Sequence, residues 1–149
     1  MTRLVEVKVP KTEDDHQALV MMWANAATPQ YPALRWLFHI PNERKCTPQQ
    51  GARLRRIGVR RGVADLFLPC PMGHYAGLWI EMKTPDGRAS EDQKAFILAM
   101  RQAGYAARVC YGYTEAIQTL EQYLKGADLD GLVDDRTTRH APRRTPRRT

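Results

Sequence analysis

The chain is predicted to fold as an α/β sandwich, in which a central mixed sheet is flanked by helices. Two apolar runs of β type, Val63–Leu68 and Leu78–Met82, are joined by a segment rich in Pro and Gly, which predicts an antiparallel hairpin. A helical pattern and a third apolar run, Ala106–Tyr111, follow the hairpin. A strand, a helix and a strand in this order predict a parallel crossover, so the sheet would contain both kinds of neighbour.

Length and cysteine content restrict the class of protein. The 149 residues suit one domain with a sizeable core. The three cysteines (Cys46, Cys70 and Cys110) are odd in number, scattered and without a CxxC pair, which argues against a disulfide framework and a structural zinc site. The longest apolar run, Ala18–Ala24, is too short to span a bilayer. We therefore expect a soluble protein of a reducing compartment, the cytoplasm.

Positive charge is concentrated in two places. The net charge is +7, and Arg136–Thr149 holds six arginines and no acid, so all but one unit of that charge lies in this tail. We expect a folded domain over residues 1–126 and a basic, disordered tail over 127–149. A second cluster precedes the hairpin: Arg53, Arg55, Arg56, Arg60 and Arg61. Such clusters fit a polyanionic partner, and the alternative is a solvated surface.

The remaining elements are predicted from hydrophobic periodicity and from residues that start or stop helices. Thr47, Ser90 and Thr114 are each expected to cap a helix, and Ser90 with Gln93 forms a capping box. The predicted elements are, in chain order, a strand or arm at Thr2–Pro10, a helix from Thr12 or Asp14 to Ala27, a strand at Ala33–Ile40, a helix from Pro48 to about Ile57, the two hairpin strands, a helix from Ser90 to Ala103, a strand at Ala106–Tyr111 and a helix from Thr114 to about Lys125.

The hairpin carries charges that an apolar sheet would ordinarily avoid: Asp65, Glu81 and Lys83. Side chains repeat every second residue along a strand, so Glu81 and Lys83 share a face, and a neighbouring strand can bring Asp65 beside them. Burying two carboxylates and an ammonium is costly without partners. A divalent cation would offset that cost, and the alternative is an ion pair between Asp65 and Lys83 or a nearby arginine.

Asp65 followed by Glu81-Met82-Lys83 resembles the signature of the PD-(D/E)xK nuclease superfamily. More narrowly, GVRRGVADLFLP, LWIEMK and SEDQ resemble the VRR-NUC family (virus-type replication-repair nuclease) over roughly residues 13–125. Ala64 departs from the pattern, since the superfamily has a proline there. The resemblance implies a restriction-endonuclease-like α/β sandwich and a Mg²⁺- or Mn²⁺-dependent endodeoxyribonuclease.

The resemblance also implies roles at the metal site. Asp65 and Glu81 would be the principal ligands, with the Met82 carbonyl as a further one, and Lys83 would hold or activate the attacking water and stabilise the developing charge. Glu13, followed by Gln17 four residues later, matches a family feature and would supply another ligand directly or through water. The alternative for Glu13 is the ordinary preference for acids in the first turn of a helix.

Other residues are candidates for positioning and for binding nucleic acid. Gln93 would orient Lys83, a water or a phosphate, unless it serves only the capping box. His39 and Asn42, around the end of the first predicted strand, could face the cleft or be structural. Phosphate contacts, which set affinity but not sequence preference, are expected from Arg53, Arg56, Arg60 and Arg61.

The resemblance implies a substrate and an assembly. Small members of the family that stand alone are associated with phages and with cleavage of four-way (Holliday) junctions, generally as dimers. The expected partner is therefore branched DNA, bound by a homodimer. Two alternatives remain at this point: a nuclease for flaps, nicks or plain duplex DNA, and a catalytically inert module that binds nucleic acid.

Overall fold

The computed structural model describes residues 8–41 and 46–130, which form a four-stranded mixed sheet flanked by helices. This confirms the predicted fold class. The strands are β1 (Phe38–His39), β2 (Leu66–Leu68), β3 (Leu78–Lys83) and β4 (Ala106–Tyr111). The α-helices are α1 (Glu13–Ala27), α2 (Pro48–Arg56), α3 (Glu91–Gln102) and α4 (Tyr113–Leu124), and a 3-10 helix spans Pro32–Trp36.

The strand order β1-β2-β3-β4 follows the chain. β2 and β3 form the predicted antiparallel hairpin, with Leu66 opposite Ile80 and Leu68 opposite Leu78. β3 and β4 are parallel, with Glu81 opposite Val109, and α3 crosses between them. Both predicted connections are therefore confirmed, and β3 lies inside the sheet with a neighbour on each side.

Two clusters of buried side chains cover the two faces of the sheet. Alternate residues of β4 separate them: Ala106 and Cys110 join the cluster formed with α1 and α4, whereas Ala107 and Val109 join the cluster formed with α3. β3 divides in the same way, since Met82 packs with the first cluster and Trp79 with the second. The odd-numbered side chains of β3, Glu81 among them, therefore lie on the face that α3 covers.

Capping boxes begin three of the helices. Thr12 with Asp15, Thr47 with Gln50, and Ser90 with Gln93 each exchange side chain–backbone hydrogen bonds. Each pair satisfies two backbone N–H groups that the first turn of a helix leaves without an intrahelical partner. The predicted caps at Thr47 and Ser90 are confirmed, and so is the predicted end of α3, where Gly104 has a φ of +97°.

The predicted strand at Ala33–Ile40 is largely wrong. Its first half is the 3-10 helix, and only Phe38–His39 pairs with β2. The buried residues are Leu34 and Leu37, three positions apart, whereas Trp36 is 56 % exposed. Strand alternation would place Leu34 and Trp36 on the same face, but the spacing of three matches the period of a 3-10 helix. Pro32, in the first turn, has a φ that suits this conformation.

The predicted cap at Thr114 is also wrong. α4 begins at Tyr113, its N-cap is Gly112 with a φ of +87°, and no side-chain cap is present there. The backbone N–H of Tyr113 instead donates to His16 Nδ1 on α1 at 3.1 Å. A tertiary contact therefore satisfies a backbone N–H at the N-terminus of α4, where the sequence predicted a local side-chain cap. The first hairpin strand is also shorter than predicted, since β2 begins at Leu66 rather than Val63.

Several predictions fall partly or wholly outside the described residues: the arm before Lys8, Asn42, and the arginine-rich tail. Residues 8–10 of the predicted arm have no regular secondary structure. The described chain continues past position 126, where Leu129 is buried and its N–H donates to Tyr75 Oη at 2.8 Å. The division at 126 stays a prediction. Over residues 8–41 and 46–130, no helix is both long and apolar enough to cross a membrane.

Candidate active site

The hairpin brings Asp65, Glu81 and Lys83 together on β2 and β3. Asp65 lies directly before β2, and Glu81 and Lys83 are two residues apart on β3. The three residues are 3 %, 1 % and 7 % exposed. The structure therefore buries three ionisable groups side by side, as strand alternation and hairpin pairing predicted.

Asp65 is held by the backbone of both neighbouring strands. Its Oδ2 accepts a hydrogen bond from the N–H of Met82 at 2.8 Å. Its carbonyl oxygen accepts from the N–H of Ile40 and lies 2.8 Å from His39 Nδ1. A carbonyl only accepts, so this contact requires the proton on Nδ1 of His39. His39 therefore supports the backbone of Asp65, which is a structural role for this candidate residue.

The two carboxylate oxygens of Glu81 have different surroundings. Oε1 accepts from Gln93 Nε2 at 2.7 Å and lies 3.3 Å from Lys83 Nζ. Within the described residues, Oε2 is buried and has no hydrogen-bond partner. Burial, followed by the negative charge of Asp65, raises the pKa of Glu81 to about 8 against the pull of Lys83. The site without a cation is therefore electrostatically unfavourable for an ionised Glu81.

Lys83 links the sheet to the first helix. Its Nζ lies 3.1 Å from Glu13 Oε1 and 3.3 Å from Glu81 Oε1. Burial works to lower the pKa of Lys83, but the two carboxylates outweigh it, so that this pKa lies above its ordinary value. Lys83 is therefore an ammonium at neutral pH. Glu13, the first residue of α1, is thereby placed at the same site, as predicted from its position before Gln17.

Gln93 contacts the cap of α3 and the active-site carboxylate at the same time. Its Oε1 accepts from the N–H of Ser90 at 2.8 Å, and its Nε2 donates to Glu81. The capping box does not prevent Gln93 from contacting the site, because the amide has an acceptor at one end and a donor at the other. The predicted orientation of Lys83, a water or a phosphate stays a prediction. The donor orients Glu81, which the sequence alone did not indicate.

The donor set suits a hard divalent cation. Mg²⁺ and Mn²⁺ prefer oxygen ligands, and Asp65 and Glu81 offer carboxylate oxygens, one of them otherwise without a partner among the described residues. A cation would also offset the repulsion that raises the pKa of Glu81. The Met82 carbonyl stays a predicted ligand; the N–H of this residue already holds Asp65 in place.

A second group with possible metal-binding atoms was missed by the sequence analysis. His74, Asp128 and Asp130 place ligand atoms within 4.8 Å of one another. All three are exposed, and Tyr75 Oη donates within this group of acids, lying 2.9 Å from Asp128 Oδ1 and from Asp130 Oδ1. The carboxylates of Asp128 and Asp130 are solvated. A cation there would therefore not offset a free-energy cost of burying charge, as it would at Glu81. Only the fold brings these residues together, since over fifty positions separate His74 from the two acids.

The arginine cluster divides into two sets. Arg60 and Arg61 line a pocket of about 380 Å³ beside the first turn of α3, together with Arg55. The other residues that line it are Val59, Gly62, Val63, Ser90, Asp92 and Gln93. Arg53 and Arg56 are exposed on α2 and do not line this pocket. The candidate residues Arg60 and Arg61 therefore share a pocket with Gln93, which contacts Glu81, and Arg55 is a lining residue that the prediction omitted.

Comparisons with known proteins show the family of the chain. The VRR-NUC domain family model matches residues 11–114. A solved structure described as a VRR_NUC domain protein is 31 % identical to the chain, with a TM-score of 0.67, and the match covers 81 % of this chain and 94 % of that one. No curated protein matches at a significant level. A nuclease domain implies a nuclease-type function with DNA as the substrate, and the chain belongs to the VRR-NUC family.

Proposed function

We propose that this protein is a Mg²⁺- or Mn²⁺-dependent endodeoxyribonuclease that hydrolyses phosphodiester bonds in branched DNA, such as four-way junctions. The observation that carries the proposal is the site formed by Asp65, Glu81 and Lys83. Two carboxylates are buried together, and one oxygen of Glu81 has no hydrogen-bond partner in the described part of the chain. An inert binding module would have no need to retain so costly an arrangement.

Asp65 and Glu81 would hold the cation, with the Met82 carbonyl as a further ligand and Glu13 contributing directly or through water. When bound, the cation would polarise the phosphate and lower the pKa of a water molecule. Hydrolysis forms a bond from water oxygen to phosphorus, breaks the bond to the leaving oxygen, and moves a proton from the attacking to the leaving side.

Lys83 would act on this reaction as a cation and a hydrogen-bond donor. Because Glu13 and Glu81 raise its pKa, the ammonium keeps its protons at neutral pH. It would therefore orient the attacking water and stabilise negative charge that develops on the phosphoryl oxygens, which is most effective in a water-poor site. Gln93 would act through Glu81, whose carboxylate it orients with a 2.7 Å hydrogen bond.

The proposed preference for branched DNA is supported by the family resemblance and by the character of the arginines. Arg53, Arg56, Arg60 and Arg61 are exposed and suit contacts with phosphates, which carry no sequence information. Recognition of DNA shape is therefore favoured over recognition of sequence. A homodimer would present two active sites related by a two-fold axis, which fits the paired strands of a four-way junction.

The test is a cleavage assay on four-way junction, flap, nicked duplex, plain duplex and single-stranded DNA, each with Mg²⁺, Mn²⁺ or EDTA. We expect cleavage of junctions with either metal and none in EDTA. Lys83→Ala and Glu81→Gln should each lower kcat by about 10²–10³-fold. Lys94→Ala is the matched control, because Lys94 pairs with Glu91 on the surface of α3 and lies outside the site.

Cleavage that persists in both active-site variants would remove the assignment of the site. Binding without cleavage under every condition would support the inert module. Preference for flaps, nicks or plain duplex would leave the nuclease in place and overturn the junction preference.

A further inference from the structure

The pocket beside α3 has a charge that suits a phosphate group. Three of its lining residues are arginines, Arg55, Arg60 and Arg61, and Asp92 is the acid that lines it. Arg60 and Arg61 are exposed, and within residues 8–41 and 46–130 neither forms an ion pair. Arginine presents several N–H groups in a planar fork that matches the oxygens of a phosphate. The volume of about 380 Å³ leaves room for a phosphate with its nearest sugar atoms or waters.

The segment that carries these arginines is anchored to α3. Gly62 directly follows them, with a φ of +82°, and an added Cβ there would lie 2.6 Å from the backbone carbon and oxygen of Asp92. Only glycine permits such a close approach in this conformation. Arg60 and Arg61 are therefore fixed next to the first turn of α3, rather than carried on a free loop.

The pocket is continuous with the active site through Gln93. This residue lines the pocket and also donates its 2.7 Å hydrogen bond to Glu81. The arginine-lined pocket is therefore next to a DNA strand whose scissile phosphate lies at Asp65 and Glu81, because Gln93 borders both. Because the sugar–phosphate backbone repeats at every nucleotide, a neighbouring phosphate is the anionic group available there.

We propose that this pocket binds a phosphate of the same DNA strand, close to the cleaved bond, and thereby sets the position of that strand in the active site. This proposal rests on the proposed nuclease function in that it takes the scissile phosphate to lie at Glu81. It assigns Arg55, Arg60 and Arg61 to one phosphate, whereas Arg53 and Arg56 contribute only general attraction.

The test combines a neutral backbone replacement with paired variants of the full chain. A single methylphosphonate is moved one position at a time across the cleavage region of a four-way junction, whose branch point fixes the register. Affinity is measured by fluorescence anisotropy in EDTA, and cleavage is measured in Mg²⁺. In the unaltered protein, one position should weaken binding about tenfold, because it removes a charge-assisted contact.

In Arg60→Ala/Arg61→Ala, the methylphosphonate at that position should cause a much smaller loss of affinity, because only Arg55 of the three arginines remains to contact the phosphate. Arg53→Ala/Arg56→Ala is the matched control, because it removes the same charge from the same cluster outside the pocket. There the tenfold effect should persist. The proposal is overturned if no single position stands out, or if the effect survives in the pocket variant, or if the control loses it as well.

A strand end could supply the same phosphate chemistry, so nicked DNA with a 5′-phosphate or a 5′-hydroxyl forms a second arm. A 5′-phosphate preference that disappears in Arg60→Ala/Arg61→Ala, with no sensitive internal position, would overturn the proposal and assign the pocket to a terminal phosphate. An internal position whose effect is reduced in that variant would support the proposal and assign the pocket to a phosphodiester. If the DNA changes affect binding in a way that depends on Arg60 and Arg61, but no metal supports cleavage, only the nuclease proposal is refuted. If the DNA is cleaved and neither arm shows such a dependence, only the phosphate pocket is refuted.

Discussion

The raised pKa of Glu81 is a consequence of its surroundings. It lies on an internal strand, 1 % exposed, beside a second buried carboxylate and a lysine. Lys83 lowers the pKa of Glu81, but burial and the negative charge of Asp65 outweigh it and raise this pKa to about 8. A cation beside this carboxylate would offset the burial and the negative charge of Asp65 that favour its protonated form, so metal binding would release the proton of Glu81.

The stability of the metal-free protein should therefore fall as the pH rises. The unfolded chain releases the Glu81 proton near the ordinary pKa of 4.5, whereas the folded chain retains it until about pH 8. Between these values the folded state binds more protons, so its free energy of unfolding decreases with rising pH by at most about 1.4 kcal/mol per pH unit. Urea unfolding in EDTA, at intervals from pH 5 to pH 8, measures this loss.

Glu81→Gln is the control for this effect, because glutamine has a similar shape and does not titrate. Its profile should be flatter than that of the unaltered protein over the same pH interval. If the two proteins lose stability in parallel as the pH rises, Glu81 ionises normally in the folded protein. The electrostatic argument for a cation at Glu81 would then lose its basis.

Secondary structure elements were predictable where their causes are local. The caps at Thr47 and Ser90 and the end of α3 at Gly104 follow from residues within one turn of the helix. The 3-10 helix at Pro32–Trp36 was missed because the burial of Leu34 is decided by packing on α1 and the sheet, not by neighbours in the chain. The start of α4 was missed because it depends on a residue 97 positions away.

The contacts of the candidate active site were also predictable only where their causes are local. Strand alternation together with family resemblance was sufficient to place Glu81, Lys83 and Asp65 side by side. The contact from Gln93 to Glu81 required the distance between α3 and β3, which no local pattern contains. The separation of Arg55 from its helical neighbour Arg56 required the orientation of α2 against the rest of the domain.

At the level of elements, Gly62→Ala should impair both stability and activity. The positive φ alone costs an alanine about 1–3 kcal/mol, and the Cβ would also meet the backbone of Asp92 at 2.6 Å. The loop with Arg60 and Arg61 must then move away from α3. Urea unfolding should show a loss of stability, and kcat/KM on the preferred DNA should fall by more than tenfold.

Gly58→Ala is the matched control. Gly58 lies before the same arginines and has a φ of +106°, but an added Cβ there would contact nothing within 4 Å. Gly58→Ala should lower the free energy of unfolding, because of the positive φ, but should change kcat/KM little. Equal losses of activity in the two variants would mean that the close approach at Gly62 does not position the loop.

For the whole molecule, the described structure suggests where the arginine-rich tail can be removed. A chain ending at Asp130 keeps the contacts of Tyr75 with Asp128 and Leu129, and it still lacks all six tail arginines. Its unfolding midpoint should be unchanged. Its affinity for DNA should be lower and should depend less steeply on salt, because fewer counterions are released on binding. Titrations between 50 and about 200 mM salt measure the slope.

A chain ending at Lys125 should behave differently. It loses Leu129, which is 6 % exposed, and the hydrogen bond to Tyr75. Losing a buried leucine costs about 1.5–3 kcal/mol, so this shorter chain should unfold at a lower temperature than the one ending at Asp130. Equal unfolding temperatures would place the end of the folded domain before position 126.

The two hydrogen bonds of Gln93 have a consequence for which sequences this site can tolerate. A glutamate at position 93 would serve the capping box of α3 as well as a glutamine does, since both offer an acceptor to the N–H of Ser90. It would lack the N–H that Glu81 receives and would set another carboxylate against Glu81. Glutamine and glutamate, which are interchangeable at this position in most helices, are therefore not interchangeable here, because one amide group both caps α3 and orients Glu81.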